Sequence, residues 1–245
     1  MRAIILAAGY ATRLYPLTLT TPKPLLVVGG MPIVDHLLSM LRPFVSKITL
    51  VTNNTHLVKF QTWAQGKNVV VVSDGSTSEQ NRKGAVGSLA FGVQQQKESE
   101  EGANEGILVI AGDNFFSGDV ASFVETYQEK NASCVALHNI GDPGHAKGKY
   151  GVVDLDKKGR IISFEEKPEF PKTTLVATAF YALTKEDAAL VSEYVKLGHS
   201  ADNLGNFIAW LAKQKPVYGI TFDGSWFDIG TKEEYEKVNN IFRRE

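Results

Sequence analysis

Apolar runs alternate with amphipathic segments along the first 140 residues of the chain. Several runs are short and continuously apolar, which is typical of parallel strands covered on both faces. They predict strands at residues 3–7, 47–52, 67–73, 106–111 and 133–139. The segments between them carry apolar residues at helical spacing and predict helices at residues 32–44, 57–65, 85–96 and 120–130. This βαβ alternation predicts a parallel, doubly wound sheet with right-handed crossovers.

The second half of the chain has a different pattern. Two apolar segments, residues 150–155 and 161–165, flank a polar turn that contains Gly159 and predict a β-hairpin. Further strands are expected at residues 175–183 and 216–222, and helices at residues 185–195, 204–213 and 232–242. Because no Pro-, Gly- or Ser-rich linker and no internal repeat interrupts the sequence, we predict one domain over residues 1–245. Its fold class is α/β, with a Rossmann-like, doubly wound, mainly parallel mixed sheet and a hairpin-containing region in the second half.

Composition and charge exclude several classes of protein. The formal net charge is −1, so no overall basic field attracts nucleic acid or an anionic membrane. No apolar run approaches about 18 residues, and the first residues lack a signal-peptide pattern, so we expect no membrane span and a cytoplasmic location. The single cysteine, Cys134, excludes an intrachain disulfide and is expected to be a buried, inert thiol. The polar stretch at residues 94–105 predicts a helix end and a loop.

The loop after the first strand has the composition of a phosphate-binding loop. Small residues at positions 8, 9 and 11 let backbone N–H groups approach phosphate oxygens closely. Only Gly9 of a dinucleotide-binding fingerprint is present, and the lysine of a P-loop is missing. Instead, Arg13 and then Lys23, which lies between two prolines, supply cations that suit a triphosphate. Each cation taken alone would be interpreted as a solvated surface charge.

Two aspartates follow segments that predict ligand binding. Asp113 comes directly after the predicted strand at residues 106–111, at the edge where open α/β sheets bind ligands. Asp228 lies between aromatic residues and a Gly-Thr turn. Mg²⁺ prefers a few carboxylates together with phosphate oxygens and water. Taken alone, Asp113 would be interpreted as a turn or helix-cap residue and Asp228 as a turn residue.

The segment LAAGYATRLYPLTLTTPKPLLVVGGMPI resembles the signature of the nucleotidyltransferases that make nucleotide-sugars, such as glucose-1-phosphate thymidylyltransferases and mannose-1-phosphate guanylyltransferases. VIAGDNFF and WFDIGT resemble two later elements of the same family, in the same order. The resemblance implies catalytic roles for Arg13 and Lys23 and a Mg²⁺ held by Asp113 and Asp228. The positions that it assigns to nucleotide binding are Leu6, Ala8, Gly9 and Gly84. One departure is Ala11, where the family has a second loop glycine, and its Cβ is expected to displace the loop or to alter its φ and ψ.

The segment KYGVVDLDKKGRIISFEEKPEFP resembles the family's sugar-phosphate element. The resemblance implies that Tyr150 and Gly151 line a sugar pocket, that Glu166 accepts sugar hydroxyls and that Lys167 binds the sugar phosphate. It also places Thr178 near the sugar. The chain would then divide into a nucleotide half, about residues 1–140, and a sugar-phosphate half, about residues 141–245. The implied partners are a nucleoside triphosphate and a sugar 1-phosphate, which would give a nucleotide-sugar and pyrophosphate.

Three other interpretations stay open at this point. A transferase of the same fold could act on phosphocholine or another non-sugar phosphate. A non-catalytic nucleotide-sugar-binding subunit is favoured by Ala11 and opposed by the presence of Arg13, Lys23, Asp113 and Asp228. An NAD-dependent oxidoreductase is opposed by the missing glycines. The nucleobase, the sugar and any homo-oligomer are not fixed by the sequence.

Overall fold

In the computed structural model, which describes residues 1–97, 105–222 and 224–243, the chain begins with the strand that forms the middle of a parallel sheet. The strands are β1 (Arg2–Ala7), β2 (Val27–Val28), β3 (Met31–Pro32), β4 (Lys47–Thr52), β5 (Val69–Ser73), β6 (Ile107–Ala111), β7 (Asn114–Ser117), β8 (Cys134–Asn139), β9 (Gly151–Leu155), β10 (Ile161–Glu166), β11 (Leu175–Leu183), β12 (Tyr218–Thr221) and β13 (Ser225–Asp228). The helices are α1 (Ile33–Leu41), α2 (Leu57–Ala64), α3 (Gly84–Lys97), α4 (Ala121–Lys130), α5 (Lys185–Lys196), α6 (Leu204–Ala212) and α7 (Lys232–Ile241).

Four parallel strands, in the order β6-β1-β4-β5, form the sheet of the first half. Both faces of this sheet are covered, and the period of two along β1 distributes its side chains between two cores. Ile5 packs in a cluster that includes residues of α1, α2 and α4. Ile4 packs in a second cluster that includes residues of α3, α5 and α6. The predicted doubly wound arrangement is therefore confirmed.

Antiparallel strands extend the same sheet into the second half. β11 pairs antiparallel with β6, β8 and β9, and β9 pairs with β10 as the predicted hairpin. Gly159 lies in the hairpin turn with a φ of 79°, a left-handed conformation that glycine adopts without steric cost. β12 pairs in parallel with β8, on the edge of β8 that does not face β11. The mixed α/β sheet, parallel in the first half and largely antiparallel in the second, agrees with the predicted fold class.

Four strands were not predicted. Two of them, β2 and β3, have two residues each and pair with each other, and Pro32 of β3 had been assigned to the following helix. The other two are β7 and β13. β7 and β13 pair antiparallel as a separate two-stranded sheet. Each strand has only four residues, which is too short for a periodic pattern to indicate a strand. Their partners are also far apart in the sequence, so no hairpin signal joins them.

Some boundaries differ from the prediction for local reasons. The helix predicted at residues 32–44 ends at Leu41 and continues as a 3-10 helix over Arg42–Phe44, which contains Pro43. The strand predicted at residues 67–73 begins at Val69, because Asn68 takes a left-handed φ of 52°. α3 continues to Lys97, and the rest of the predicted helix end and loop at 98–104 lies outside the described residues. Among the helices of the described part, none is long and apolar enough to cross a membrane.

Candidate active site

A cavity of about 390 Å³ lies at the carboxyl ends of the parallel strands. Open α/β sheets bind ligands at this edge. Loop segments after β1, β5 and β6 contribute to its wall, together with the first residues of α3 and α6. The polar and small residues of the wall that the following paragraphs use are Ala8, Gly9, Ala11, Arg13, Lys23, Asp74, Gly84, Ser88, Asp113, Lys167, Asn203 and Gly230.

The loop after β1 contributes its backbone to the cavity. A Cβ built on Gly9 would meet no protein atom within 4 Å, so the space beside this residue is open to a ligand. Ala11 takes the left-handed conformation, with φ 50° and ψ 40°. Its carbonyl accepts hydrogen bonds from Leu14 N at 3.0 Å and from Thr18 Oγ1 at 2.8 Å. Ala11 thus takes a backbone conformation that favours glycine, and the expectation that its Cβ alters the loop stays a prediction.

Lys23 and Asp113 form an ion pair inside the cavity. Lys23 Nζ lies 3.0 Å from Asp113 Oδ2, and Lys23 is only 7% exposed. Pro22 and Pro24 flank the lysine in a short 3-10 helix, which restricts its backbone. The side chain of Asp113 is 43% exposed, so its carboxylate stays accessible to a further cation or a phosphate-bound metal. Lys23 is thus a buried, pre-aimed cation at the ligand edge of the sheet.

The pairing of β13 with β7 brings Asp228 close to the ion pair of Lys23 and Asp113. Asp228 lies opposite Asn114 in the antiparallel register, and Asn114 directly follows Asp113. The side chain of Asn114 fixes this arrangement, since its Oδ1 accepts a 2.7 Å hydrogen bond from Trp226 Nε1. Burial, and secondly the charge of Asp113, raise the pKa of Asp228 to about 6. Two carboxylates that raise each other's free energy form a site where a cation is favoured.

The turn after Asp228 is held by the start of α7. Gly230 N and Thr231 N both donate to Glu234 Oε2, at 2.8 and 3.0 Å, and Thr231 Oγ1 caps the helix by accepting from Glu234 N. This reciprocal arrangement is a capping box. The Asp-Ile-Gly-Thr segment is therefore anchored on a helix, which restricts where the carboxylate of Asp228 can lie.

Lys167 reaches the same cavity from the hairpin side. It follows β10, its backbone N donates to Tyr150 O at 3.0 Å, and its φ is 50°. Its ammonium donates to Asn203 Oδ1 at 3.3 Å, at the beginning of α6. The cavity wall thus contains Arg13 and Lys23 from the first half and Lys167 from the second half.

The other residues predicted to contact a sugar lie beside the cavity. Glu166 packs between two glycines: a Cβ on Gly151 would lie 3.1 Å from Glu166 Oε2, and a Cβ on Gly205 would lie 2.0 Å from it. Burial raises the pKa of Glu166. Tyr150 packs edge-on against Trp226, with ring centroids 5.1 Å apart. Gly205 was missed because a glycine inside a helical pattern carries no functional signal of its own.

Thr178 is not brought to this wall. It is fully buried in β11, and its hydroxyl donates to Ala136 O at 2.9 Å, a bond within the sheet. The structure therefore gives this hydroxyl a partner in β8, and a contact with the sugar stays a prediction that the placement does not support. Cys134 is buried as predicted, and burial raises the pKa of its thiol to about 12.

The first turn of α3 joins the two halves at the cavity. Gly84 has a φ of 73°, and a Cβ on it would lie 2.3 Å from Ala201 O. Ala85 N and Val86 N donate to the carbonyls of Asp202 and Ala201, at 3.1 and 2.9 Å. Gly84 therefore lines the cavity and lets the segment before α6 approach the helix closely, while its contact with a nucleotide stays a prediction.

Two wall residues, Asp74 and Ser88, were missed by the sequence interpretation. Asp74 follows β5, so it has the same signal as Asp113, an acidic residue at the carboxyl end of a parallel strand. Ser88 lies within α3 and gave no signal. Ser88 Oγ donates to Asp74 Oδ2 at 2.7 Å, and both residues are almost completely buried.

Comparison with known families places this geometry in context. The sequence matches the family described as Nucleotidyl transferase over residues 2–245. It is 28% identical to a UTP–glucose-1-phosphate uridylyltransferase of Synechocystis sp., over all of this chain and 64% of that protein. It is 33% identical to a Sulfolobus acidocaldarius protein described as a mannose-1-phosphate guanyltransferase, over 97% of this chain and 62% of that protein. The chain thus spans less than two thirds of the length of these two relatives.

A solved structure has the same fold as this chain. A Bacillus anthracis protein described as a glucose-1-phosphate thymidylyltransferase, solved in complex with a sucrose, superposes with a TM-score of 0.84. It is 26% identical in sequence, and the match covers 100% of this chain and 96% of that one. The names of these three similar proteins differ in the nucleobase and in the sugar.

Proposed function

We propose that this chain, which belongs to the nucleotidyl transferase family, joins a nucleoside triphosphate to a sugar 1-phosphate and releases pyrophosphate. One observation carries the proposal: the β7–β13 pair brings Asp228 close enough to Asp113 and Lys23 for their charges to act on its carboxylate. Asp113 and Lys23 line a cavity whose wall also contains Arg13 from the first half of the chain and Lys167 from the second. Several cations around one cavity, together with a carboxylate pair, suit a reaction between two phosphates. The sugar phosphate is favoured by the names of the similar proteins.

In this reaction an oxygen of the acceptor phosphate attacks the α-phosphorus of the nucleotide. A new P–O bond forms there, the bond from the α-phosphorus to the oxygen bridging to the β-phosphorus breaks, and its electron pair leaves with pyrophosphate. Both reactants are anions, so the main task of the protein is to offset their repulsion and hold them in line. No covalent enzyme intermediate is required.

The residues of the chain divide this work between two phosphates. Lys23 and Arg13 face the loop after β1, where the backbone N–H groups and the open space beside Gly9 receive the triphosphate. Lys167 approaches from the hairpin and binds the acceptor phosphate as a point charge. Glu166 accepts hydroxyl hydrogens of the sugar, since an ionised carboxylate only accepts hydrogen bonds. Its carboxylate lies against Gly151 and Gly205, where a larger side chain would collide with it.

Asp113 and Asp228 fit a Mg²⁺ ion. Among the described residues no cluster of three or more His, Cys, Asp and Glu could hold a metal, so this pair would leave the remaining positions to phosphate oxygens and water. The mutual repulsion that helps to raise the pKa of Asp228 is also what a divalent cation would offset. When bound, the ion would neutralise charge on the triphosphate.

The proposal is tested by measuring pyrophosphate release with Mg²⁺, five nucleoside triphosphates and a panel of hexose 1-phosphates, with phosphocholine as a further acceptor. We expect turnover with at least one hexose 1-phosphate. A kcat/KM for phosphocholine more than tenfold above that of every sugar phosphate would reject the sugar assignment and leave the reaction type intact. No pyrophosphate release with any pair would reject the proposal.

Two variants test the assignment of Lys167 to the acceptor phosphate and of Arg13 to the nucleotide. Lys167→Ala should raise the KM for the acceptor more than the KM for the nucleotide, and Arg13→Ala should do the reverse. Losing one charge-assisted phosphate contact costs about 1.5–3 kcal/mol, which is about a 10- to 150-fold loss in kcat/KM. Equal effects of Lys167→Ala on both substrates would contradict the assignment of this lysine to the acceptor.

A further inference from the structure

A buried hydrogen-bond cluster forms the end of the cavity that lies under β5 and α3. Asp74 is 7% exposed, Ser76 is 1% exposed and Ser88 is 3% exposed. Asp74 and Ser88 line the cavity, whereas Ser76 is not part of its wall. The mechanism proposed above uses none of these three residues.

The cluster lies at the opposite side of the parallel sheet from Asp113. In the strand order β6-β1-β4-β5, Asp74 follows β5 and Asp113 follows β6, three strands away. At about 4.8 Å per strand, the two strand ends are about 14 Å apart. A nucleotide whose α-phosphate lies near Asp113 and Lys23 would extend its base toward β5. Asp74 and Ser88 are therefore placed to meet the base rather than the phosphates.

The hydrogen bonds of the cluster fix which groups it can offer. Asp74 Oδ1 accepts from Ser76 N at 2.9 Å and from Ser76 Oγ at 2.6 Å, which fills both of its lone-pair positions. Asp74 Oδ2 accepts only from Ser88 Oγ in the described contacts, at 2.7 Å. A carboxylate has no hydrogen to donate, so both serine hydroxyl hydrogens are committed to it. The wall therefore offers two adjacent acceptors, Asp74 Oδ2 and Ser88 Oγ, and no donor from this cluster.

Bases differ in how well they match two adjacent acceptors. Guanine presents two neighbouring donors, N1–H and N2–H₂, beside the acceptor O6. Uracil and thymine present one N–H between two carbonyl oxygens, so one carbonyl would face a buried acceptor. Cytosine and adenine present an amino donor beside a ring nitrogen acceptor. Lys83 also lines the cavity, and its ammonium is complementary to the O6 carbonyl of guanine.

Resting on the nucleotidyl transfer proposed above, we infer that Asp74 and Ser88 select a base with adjacent N–H donors, so that this chain uses GTP in preference to UTP and dTTP. The wall discriminates because a buried acceptor that faces a carbonyl is left without a hydrogen bond. A good bidentate contact to a base discriminates by about tenfold or more. Asp74 is thus a specificity residue that touches the base and takes no part in the transfer.

The inference is tested by two measurements on the whole chain: kcat/KM for each triphosphate with its best acceptor, and the Kd of GDP and UDP without acceptor. We expect a preference of about tenfold or more for guanine in both measurements. Asp74→Asn keeps the shape and adds an NH₂ donor, so it should lower kcat/KM for GTP and raise it for UTP or dTTP. Ser88→Ala should reduce the preference for guanine. Asn81→Ala is the control: it removes loop hydrogen bonds to Thr77 N and Ser78 N without touching Asp74 and should keep the order of nucleotides.

Each outcome separates this inference from the proposed function. Preference of the unaltered protein for UTP or dTTP would overturn the inference and leave nucleotidyl transfer standing. An equal loss for all nucleotides in Asp74→Asn, with the same loss in Asn81→Ala, would show that Asp74 only maintains the loop. Selective binding of GDP without any turnover would support the base assignment and reject the proposed reaction. Binding of no nucleotide would reject both.

Discussion

Replacing Gly205 with alanine tests whether Glu166 acts on the acceptor. Gly205 is the second residue of α6, and an added Cβ would lie 2.0 Å from Glu166 Oε2 and 2.6 Å from the ring of Phe164. The carboxylate is the end of a flexible side chain, so it will move before the helix does. Gly205→Ala should therefore displace the carboxylate of Glu166 while leaving the fold intact.

Gly205→Ala is expected to change both the stability of the protein and its kcat/KM. Overpacking costs about 1–3 kcal/mol, and the better helix propensity of alanine offsets about 1 kcal/mol. The net loss of about 0–2 kcal/mol lowers the Tm by no more than about 8 °C for a chain of this size. Losing a hydrogen bond to a charged group costs about 1.5–3 kcal/mol, which lowers kcat/KM for the sugar phosphate about 10- to 150-fold.

The assay is steady-state pyrophosphate release with each substrate varied in turn, together with thermal unfolding. Gly92→Ala is the matched control: it overpacks another helical glycine, whose added Cβ would lie 2.8 Å from Val51 Cγ2 in β4 and 3.3 Å from the side chain of Ile4 in β1. This control should lose stability and keep the KM for the acceptor. In a double-mutant cycle, Gly205→Ala should have little further effect once Glu166→Ala has removed the carboxylate. The reasoning would be refuted if the losses in kcat/KM from Gly205→Ala and Glu166→Ala multiplied in the double variant. It would also be refuted if Gly205→Ala raised the KM for the nucleotide as much as the KM for the acceptor.

Three further predictions concern the two aspartates proposed to hold Mg²⁺, the loop after β1 and the thiol of Cys134. Asp113→Asn and Asp228→Asn should each lower kcat by about a hundredfold or more with an unchanged circular dichroism spectrum; near-normal turnover would remove both from the metal site. Ala11→Val should destabilise the chain by about 1–2 kcal/mol in urea unfolding, because a β-branched residue is strained at a φ of 50°, whereas Ala11→Gly should not; equal stabilities would contradict the left-handed loop. Because burial raises the pKa of Cys134 to about 12, the thiol is protonated at pH 8 and should react with a disulfide reagent only as fast as the protein opens; rapid reaction without denaturant would contradict this burial.

The sequence predicted those features that have a local cause. Continuous apolar runs identified β1, β4 and β6, and the polar turn around Gly159 identified the β9–β10 hairpin. Both patterns depend on residues that are neighbours in the chain. Lys23 could also be singled out, because prolines flank it and it follows a loop of small residues.

Features that depend on distant pairing could not be derived in this way. The four residues of β13 carry no periodic signal, and their partner β7 is more than a hundred residues earlier in the sequence, so the convergence of Asp113 and Asp228 rested on family resemblance alone. The role of Gly205 depends on the side chain of Glu166, which approaches it from another element. Asp74 had a usable signal, but its partner Ser88 becomes visible only when β5 and α3 are packed together.

Backbone strain is concentrated around the cavity. Five non-glycine residues of the described part have a positive φ, and two of them are asparagines at the boundaries of secondary structure, Asn68 and Asn131. Of the other three, Ala11 and Lys167 line the cavity, and Ala179 lies in β11. A left-handed alanine or lysine costs about 1–2 kcal/mol and persists only where surrounding contacts hold it. At Ala11 these contacts are the bonds from Leu14 N and Thr18 Oγ1, and at Lys167 the bond from its own N to Tyr150 O. Two strained residues therefore lie in the wall of the cavity, and the hydrogen bonds of their backbone groups restrict the loop after β1 and the chain at Lys167 before a ligand binds.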